Sequence, residues 1–184
     1  MTDIHVRPAR STDALLPAYL AAFADEAVLS WVFPDPGDAA PLLRALLAGL
    51  ADDQIVLAEQ ADGAIVGVSV WQLRPGPDPA VPVVDAPWAR RLAAIYETVV
   101  VADEPHVYLA SMAVRPDARG RGIGGRLLAE GLRRADAAGL PTHLEASTER
   151  SRLLYLRHGF TDHGRPLPLP EGGPVLRPMR RPPA

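Results

Sequence analysis

The chain contains no cysteine, which removes disulfide staples, thiolate metal ligands and a cysteine nucleophile together. It contains no lysine either. All 19 basic residues are arginine, so neither a Schiff-base lysine nor the lysine of a phosphate-binding P-loop is present, and GC-rich codon usage accounts for the bias. Aromatic residues make up 5% of the chain and the formal net charge is −3. Nucleic-acid binding draws on a basic field and stacking platforms, so no nucleic-acid partner is expected. Apolar runs, such as Ile55 to Ala58, fall far short of the roughly 20 residues that cross a bilayer. Met1 to His5 show no basic region followed by an apolar stretch, so no secretory signal is read there. A soluble, cytoplasmic protein with no membrane partner is expected.

What is present fits one globular unit. A length of 184 residues, 48% hydrophobic and 22% charged, is enough for a core and too short for a second catalytic domain, so residues 1–184 are read as a single domain. Proline is about twice as frequent as usual, with 20 in the chain. The prolines cluster in Arg74 to Pro87 and from Arg165 onward, marking loop or edge-strand segments. Ile4 to Pro8 reads as a first strand. Thr12 is placed to cap a helix carrying Leu15, Leu16, Tyr19, Leu20 and Phe23 at helical spacing, and Asp38 to cap one through Leu42, Leu43, Leu46, Leu47 and Leu50. Gln54 to Glu59 and Ala64 to Leu73 read as strands joined by an Asp62-Gly63 hairpin turn. Pro87 to about Val101 reads as a helix with proline in its first turn.

Beyond that come a strand from His106 to Val114, a glycine-rich turn, a helix from about Gly122 to Ala138, a strand from Thr142 to Ala146, and a helix ending at His158. Gly159 suits the left-handed stop of that helix, with Phe160 packing back on it. Phe160 to Gly164 and Val175 to Arg181 are the last strands. Strands and helices mix without strict alternation, which gives an α+β, mixed α/β class.

The stretch from Val107 to Leu128 carries the chemistry. A strand runs into a turn with glycines at 120, 122, 124 and 125, and the turn opens a helix. Unpaired N–H groups at a helix N-terminus carry partial positive charge, and glycines let an anion approach the backbone closely. Arg119, Arg121 and Arg126 add cationic partners, so a diphosphate group is the natural occupant. A solvated glycine-rich turn with no ligand is the plainer alternative. A P-loop is excluded because Gly125 is followed by Arg126 and Leu127. Gly120-x-Gly122-x-x-Gly125 with Glu145 at the end of the next strand also satisfies the dinucleotide fingerprint. Arg115 to Arg119 separate strand from glycines, however, and few residues follow Glu145, so an NAD-binding domain stands as a remote alternative.

Val114-x-Pro116, then Arg119-x-x-Gly122-x-Gly124 opening a helix, resembles the acyl-coenzyme A pyrophosphate loop of the GCN5-related N-acetyltransferase (GNAT) family. Tyr155-Leu-Arg-His-Gly159-Phe160 is similar to that family's Tyr-x-x-x-Gly-Phe helix ending. The likeness to puromycin N-acetyltransferase-like members extends to Ala21 to Asp25, Leu144 to Ser147, and Pro168 to Glu171 with Met179 and Arg180. It is dense from His106 to Phe160 and thin elsewhere. It implies a mixed, mostly antiparallel sheet flanked by helices, with a splayed acyl-CoA-binding strand pair in a core of about residues 104–162.

The resemblance also implies the reaction: acetyl transfer from acetyl-CoA, without a metal, to a primary amine of a small, possibly antibiotic-like, molecule. Residues Met112, Ala113, Val114, Arg119, Gly120, Arg121, Gly122, Ile123, Gly124 and Gly125 would hold the cosubstrate. Tyr155 would protonate the departing thiolate, since a phenol keeps its proton at neutral pH. The family's usual glutamate base on the strand before the loop is Tyr108 here. Glu145, His106 and Glu104 are the remaining base candidates, with Glu145 at the end of the neighbouring strand and His106 at an exposed strand start. An asparagine and an alanine common ahead of the tyrosine are Thr148 and Ser151. Asp25, Glu26, Trp31, Trp88, Tyr96 and Glu97 are candidates to hold the amine. The histidines show no metal-ligand spacing. An idle acyl-CoA sensor keeps the loop without the chemistry, and the sequence does not distinguish monomer from homodimer.

Overall fold

A computed structural model of the chain describes residues 3–10, 13–76, 88–98, 102 and 104–184. Its strands are β1 (Ile4–Pro8), β2 (Ile55–Gln60), β3 (Ile65–Arg74), β4 (His106–Val114), β5 (Thr142–Ala146), β6 (Thr161–Asp162), β7 (Leu167–Pro168) and β8 (Val175–Arg181). They pair in the order β1-β2-β3-β4-β5-β8-β6, with β7 on β8. Among the described residues every pairing is antiparallel except β4 with β5. The α+β class expected from the sequence is what forms, and Gly63 turns the predicted β2–β3 hairpin at φ +84°. A doubly wound dinucleotide domain needs a run of parallel strands, so the NAD alternative falls here.

The helices are α1 (Leu15–Ala22), α2 (Ala27–Val32), α3 (Pro36–Ala48), α4 (Ala89–Thr98), α5 (Ile123–Ala137) and α6 (Glu149–Leu156). The proposed cap Thr12, the segment 77–87 and residues 99–101 lie outside the described residues. Two expectations are corrected. The cap of α3 lies three residues before Asp38: it is Asp35, its carboxylate accepting from Gly37 N at 2.8 Å, and Pro36 takes the first helical position. The strand expected over 160–164 shrinks to Thr161–Asp162, because Phe160 turns inward at the end of α6, its N–H donating to Tyr155 O at 3.2 Å. α2 was not anticipated; its six residues carry no polar face to give it a period.

Helices cover the sheet on both faces. β2 shows the division: Val56 and Ala58 pack toward α5 with Leu127, Leu128 and Leu132, while Ile55 and Leu57 pack toward α1 and α3 with Tyr19, Phe23 and Leu43. Each fully buried leucine or isoleucine contributes about 1.5–3 kcal/mol. α5 lies unusually close to β3, because Gly131 leaves room for the Trp71 ring; a Cβ there would stand 2.0 Å from it. Trp71 Nε1 donates to Ser69 Oγ at 2.9 Å inside the core. This contact fixes α5, and with it the loop that opens α5, against the sheet. Among the described residues no helix is long and apolar enough to cross a membrane.

Candidate active site

β4 ends at Val114, and one 3-10 turn, Pro116–Ala118, leads into the glycine loop. Gly120 at φ +80° and Gly122 at φ +75° take left-handed backbone that other residues rarely adopt. That turns the chain so that α5 starts at Ile123 with Gly122 as its cap, and among the described residues no side chain caps this end. The first N–H groups of a helix have no partner inside it; the first internal bond here is Arg126 N to Gly122 O at 3.2 Å. A Cβ at residue 120 or 122 would meet nothing within 4 Å, so the space at this end is open.

Arginine braces the loop from behind. Arg119 donates from Nε to Val114 O at 2.9 Å and from its two terminal nitrogens to the Asp25 carboxylate at 2.6 and 2.5 Å. The pair ties the α1–α2 connection to the loop, and Arg119 holds the Asp25 carboxyl below the usual range. Arg121 and Arg126 are exposed.

The parallel pairing of β4 with β5 stops at Tyr108 opposite His143. On its other side β4 bulges against β3, where Val70 faces Ser111 and Trp71 faces Leu109, so Ala110 is the extra residue. β4 and β5 then part, and among the described residues the β5-facing edge of residues 109–114 has no strand partner. A cavity of about 730 Å³ opens in this gap. It runs from the glycine loop past β4 and α6 to the helices of the N-terminal half.

Tyr155 closes the α6 side. Its ring lies 5.8 Å from that of Phe160 and it is 6% exposed. Burial, and secondarily the negative charge of Glu26, push its pKa above the ordinary tyrosine value. Tyr19 on α1 is pushed up to about 12, by burial first, against a hydrogen bond with Ser111 and with Glu26 acting in the same upward direction. Both phenols therefore hold their protons at neutral pH.

The sequence-predicted residues fall into two groups. Met112, Ala113, Val114, Arg119, Gly120, Gly122, Ile123, Gly124, Gly125, Glu145 and Tyr155 line this one cavity, together with Asp25 and Glu26. Arg121 turns away, its terminal nitrogen 3.5 Å from Asp117 O. Trp31 and Trp88 pack in the N-terminal core, and Tyr96 and Glu97 are exposed outside the cavity.

Glu104 and His106 lie at the opposite end of β4. His106 is corrected outright: it is 2% exposed, its ring 4.7 Å from His143 and its Nδ1 2.8 Å from Glu104 O. Glu104 pairs with Arg180 at 2.8 Å. Of the base candidates only Glu145 reaches the cavity, and the Tyr108 hydroxyl donates to its Oε2. The two departures at the start of α6 are mutually consistent. Thr148 Oγ1 accepts from Ser151 N at 3.1 Å and Thr148 N donates to Ser151 Oγ at 3.2 Å, a reciprocal cap for the helix that carries Tyr155.

The acetyltransferase (GNAT) family matches residues 20–160. The chain belongs to the GNAT acetyltransferases. A solved structure described as histone acetyltransferase HPA2 and related acetyltransferase, from Corynebacterium glutamicum, is 30% identical over 100% of this chain and 98% of its own, with a TM-score of 0.70. Arylalkylamine N-acetyltransferase 2 from Aedes aegypti superposes with a TM-score of 0.76 at 17% identity, covering 99% of this chain and 100% of its own. Naa20 from Chaetomium thermophilum, solved with a bisubstrate analogue, gives 0.64 at 19% identity over 97% and 86%. The protein is thus an acetyltransferase of the GNAT fold.

Several cavity residues of this GNAT enzyme escaped sequence reasoning. The sequence places Tyr19 and Phe23 on the apolar stripe of a helix and Ser111 on a strand, and it includes Phe23 and Ser147 in stretches of family likeness, without marking any of the four as a site residue. Ser147 Oγ donates to Glu26 Oε1 at 2.9 Å, a contact between residues 121 positions apart. The signal that could have found Tyr19 and Phe23 is their place on the helix just ahead of Asp25 and Glu26, already candidates.

Proposed function

We propose that this enzyme moves the acetyl group of acetyl-CoA to a primary amine of a small molecule, with residues 1–184 acting as one domain around a core of about 104–162. The observation that carries the reading is the uncapped start of α5, open on the same cavity as Tyr155. The residues fit the cosubstrate: free N–H groups, positive helix-end charge and no side chain in front of Gly120 or Gly122 suit a diphosphate. When bound, acetyl-CoA supplies an activated acetyl group on a thiolate leaving group.

The backbone of Gly122 to Gly125 takes the pyrophosphate, while Arg119 holds the loop in shape through Val114 and Asp25. The unpaired β4 edge at Met112, Ala113 and Val114 offers hydrogen bonds to the pantetheine arm, and an N–H there stabilises the developing oxyanion. Tyr155, kept neutral by burial, gives its proton to the departing sulfur. Glu145, whose carboxylate already accepts from Tyr108, fixes that wall of the cavity.

The test is a screen of primary amines with acetyl-CoA and a thiol reagent, alongside calorimetry with acetyl-CoA and with NAD. Thiol release that depends on an amine, with binding of acetyl-CoA and not of NAD, is expected. Binding of acetyl-CoA without turnover of any amine would favour a sensor, and absence of binding would remove the reading.

A further inference from the structure

The cavity holds three carboxylates, and they are not equivalent. Asp25 is locked on Arg119, and Glu145 accepts from Tyr108. Glu26 is half-buried and meets only neutral donors: Leu29 N at 2.8 Å on one oxygen and Ser147 Oγ at 2.9 Å on the other. Among the described residues it has no cation within ion-pair distance. The cavity's other arginines, Arg150 on α6 and Arg157 just past its end, are exposed. Its titratable neighbours in the cavity are Tyr19 on α1 and Tyr155 on α6, both neutral and both sensing its charge. A carboxylate fixed by two hydrogen bonds and short of a counter-ion is a receptor for a cation.

The wall next to Glu26 is of another kind. Leu29, Phe33, Leu43, Leu46, Leu92 and Ile95, from α2, α3 and α4 and their connections, line the rest of the cavity. Leu46 is 51% exposed although it is a large apolar residue on a helix otherwise packed on the core. Glu26 beside this long apolar surface selects a positive charge at one end of a molecule with an apolar body attached. A second charge would have to be buried against leucine and isoleucine without a partner.

We infer that the acceptor is a primary monoamine carrying an apolar body, and that Glu26 holds its ammonium group and takes its proton. This rests on the proposed amine acetylation. Glu26 removes one proton from the ammonium group as the nitrogen commits to attack. The N–C bond forms and the C–S bond breaks, and the sulfur takes the Tyr155 proton. The Tyr155 oxygen recovers a second proton from the acylated nitrogen, and Glu26 returns its own to water. The products are an amide, a thiol and one released proton.

The experiment measures kcat/KM for ethylamine, hexylamine and spermidine with acetyl-CoA, for the wild type, Glu26→Gln and Leu46→Asp, from pH 6 to 9. Each buried methylene is worth about fourfold, so the four extra methylenes of hexylamine are expected to lift it about 250-fold above ethylamine, with spermidine far below hexylamine. Leu46→Asp, at an exposed position, reduces that preference. Gln keeps an acceptor for Leu29 N, so Glu26→Gln should fold, bind acetyl-CoA within about twofold, and lose about 10²–10³ in kcat/KM for hexylamine. The wild-type profile should be nearly flat. The variant, which must capture neutral amine, should rise about tenfold per pH unit; a residue that only capped α2 would not produce that slope.

Unchanged kcat/KM and a flat profile in Glu26→Gln would overturn the inference, as would spermidine or ethylamine matching hexylamine. Failure to acetylate any of the three while acetyl-CoA still binds would overturn it as well. Loss of acetyl-CoA binding in the wild type would show that the underlying reading had failed.

Discussion

Replacing Tyr155 by Phe isolates one proton. The ring stays against Phe160, and among the described residues the Tyr155 hydroxyl makes no hydrogen bond, so its deletion strands no buried partner. Stability should change by no more than about 0.5 kcal/mol. The kinetic effect should be much larger, because the departing thiolate loses its acid; general acid catalysis is worth about 10²–10⁴-fold, or roughly 3–5 kcal/mol in the barrier. A proton given only in the transition state leaves ground-state binding intact, so the loss belongs in kcat and not in the Michaelis constant for acetyl-CoA. Single-turnover measurement with an amine found to be a substrate removes product release from the rate. Wild-type single-turnover rates in Tyr155→Phe would refute the assignment, and a rise in the Michaelis constant alone would make Tyr155 a cosubstrate-positioning residue.

Other consequences concern the scaffold that holds the site. Gly131→Ala brings a methyl to 2.0 Å from the Trp71 ring; overpacking of this kind costs about 1–3 kcal/mol against a helix-propensity gain of at most about 1, so urea denaturation should show a net loss. Tyr19 and Tyr155 have folded pKa values raised by burial. Their contribution is complete below the unfolded value near 10 and fades as pH climbs through about 12 for Tyr19 and beyond for Tyr155. Ultraviolet titration should therefore show Tyr19 and Tyr155 ionising late, and Tyr19→Phe should soften the alkaline loss of stability. At the acid end, Arg7 joins Asp13 at 2.8 Å and Glu59 at 2.5 Å near the start of the sheet, and holds the Asp13 carboxyl below its usual range. That stabilisation is present above the unfolded carboxylate value and lost as pH falls through the folded one; Asp13→Asn should cost about 2 kcal/mol at pH 7, toward the low side for a broken buried pair because Glu59 remains, and flatten the acid limb of a thermal-melt series.

The parts legible in the sequence are those whose cause is local. The glycine turn, the helix behind it and the Tyr155 to Phe160 ending each depend on a few consecutive residues, and they lie where spacing placed them. The β2–β3 hairpin is another, set by Asp62-Gly63. What escaped depends on residues far apart in sequence. Nothing near Arg119 indicates that Asp25, 94 positions earlier, occupies its guanidinium, and nothing near Glu26 indicates Ser147. His106 looks like an exposed strand start until His143 packs against it. The acceptor side stayed obscure for the same reason: three helices and their connections form its wall, and an apolar side chain lining a cavity has the same period as one filling a core.

Titration of acetyl-CoA into the wild type and Gly122→Asp tests the central claim most directly. Asp tolerates left-handed backbone better than most residues, and its side chain would enter space where nothing stands within 4 Å, so folding stability should change by about 1 kcal/mol or less. The same carboxylate would occupy the helix-end N–H groups and repel an approaching diphosphate. The expected result is a single binding site on the wild type and at least a 100-fold weaker one on a folded Gly122→Asp. Equal affinity in the two proteins would contradict the assignment of the α5 N-terminus as the pyrophosphate site.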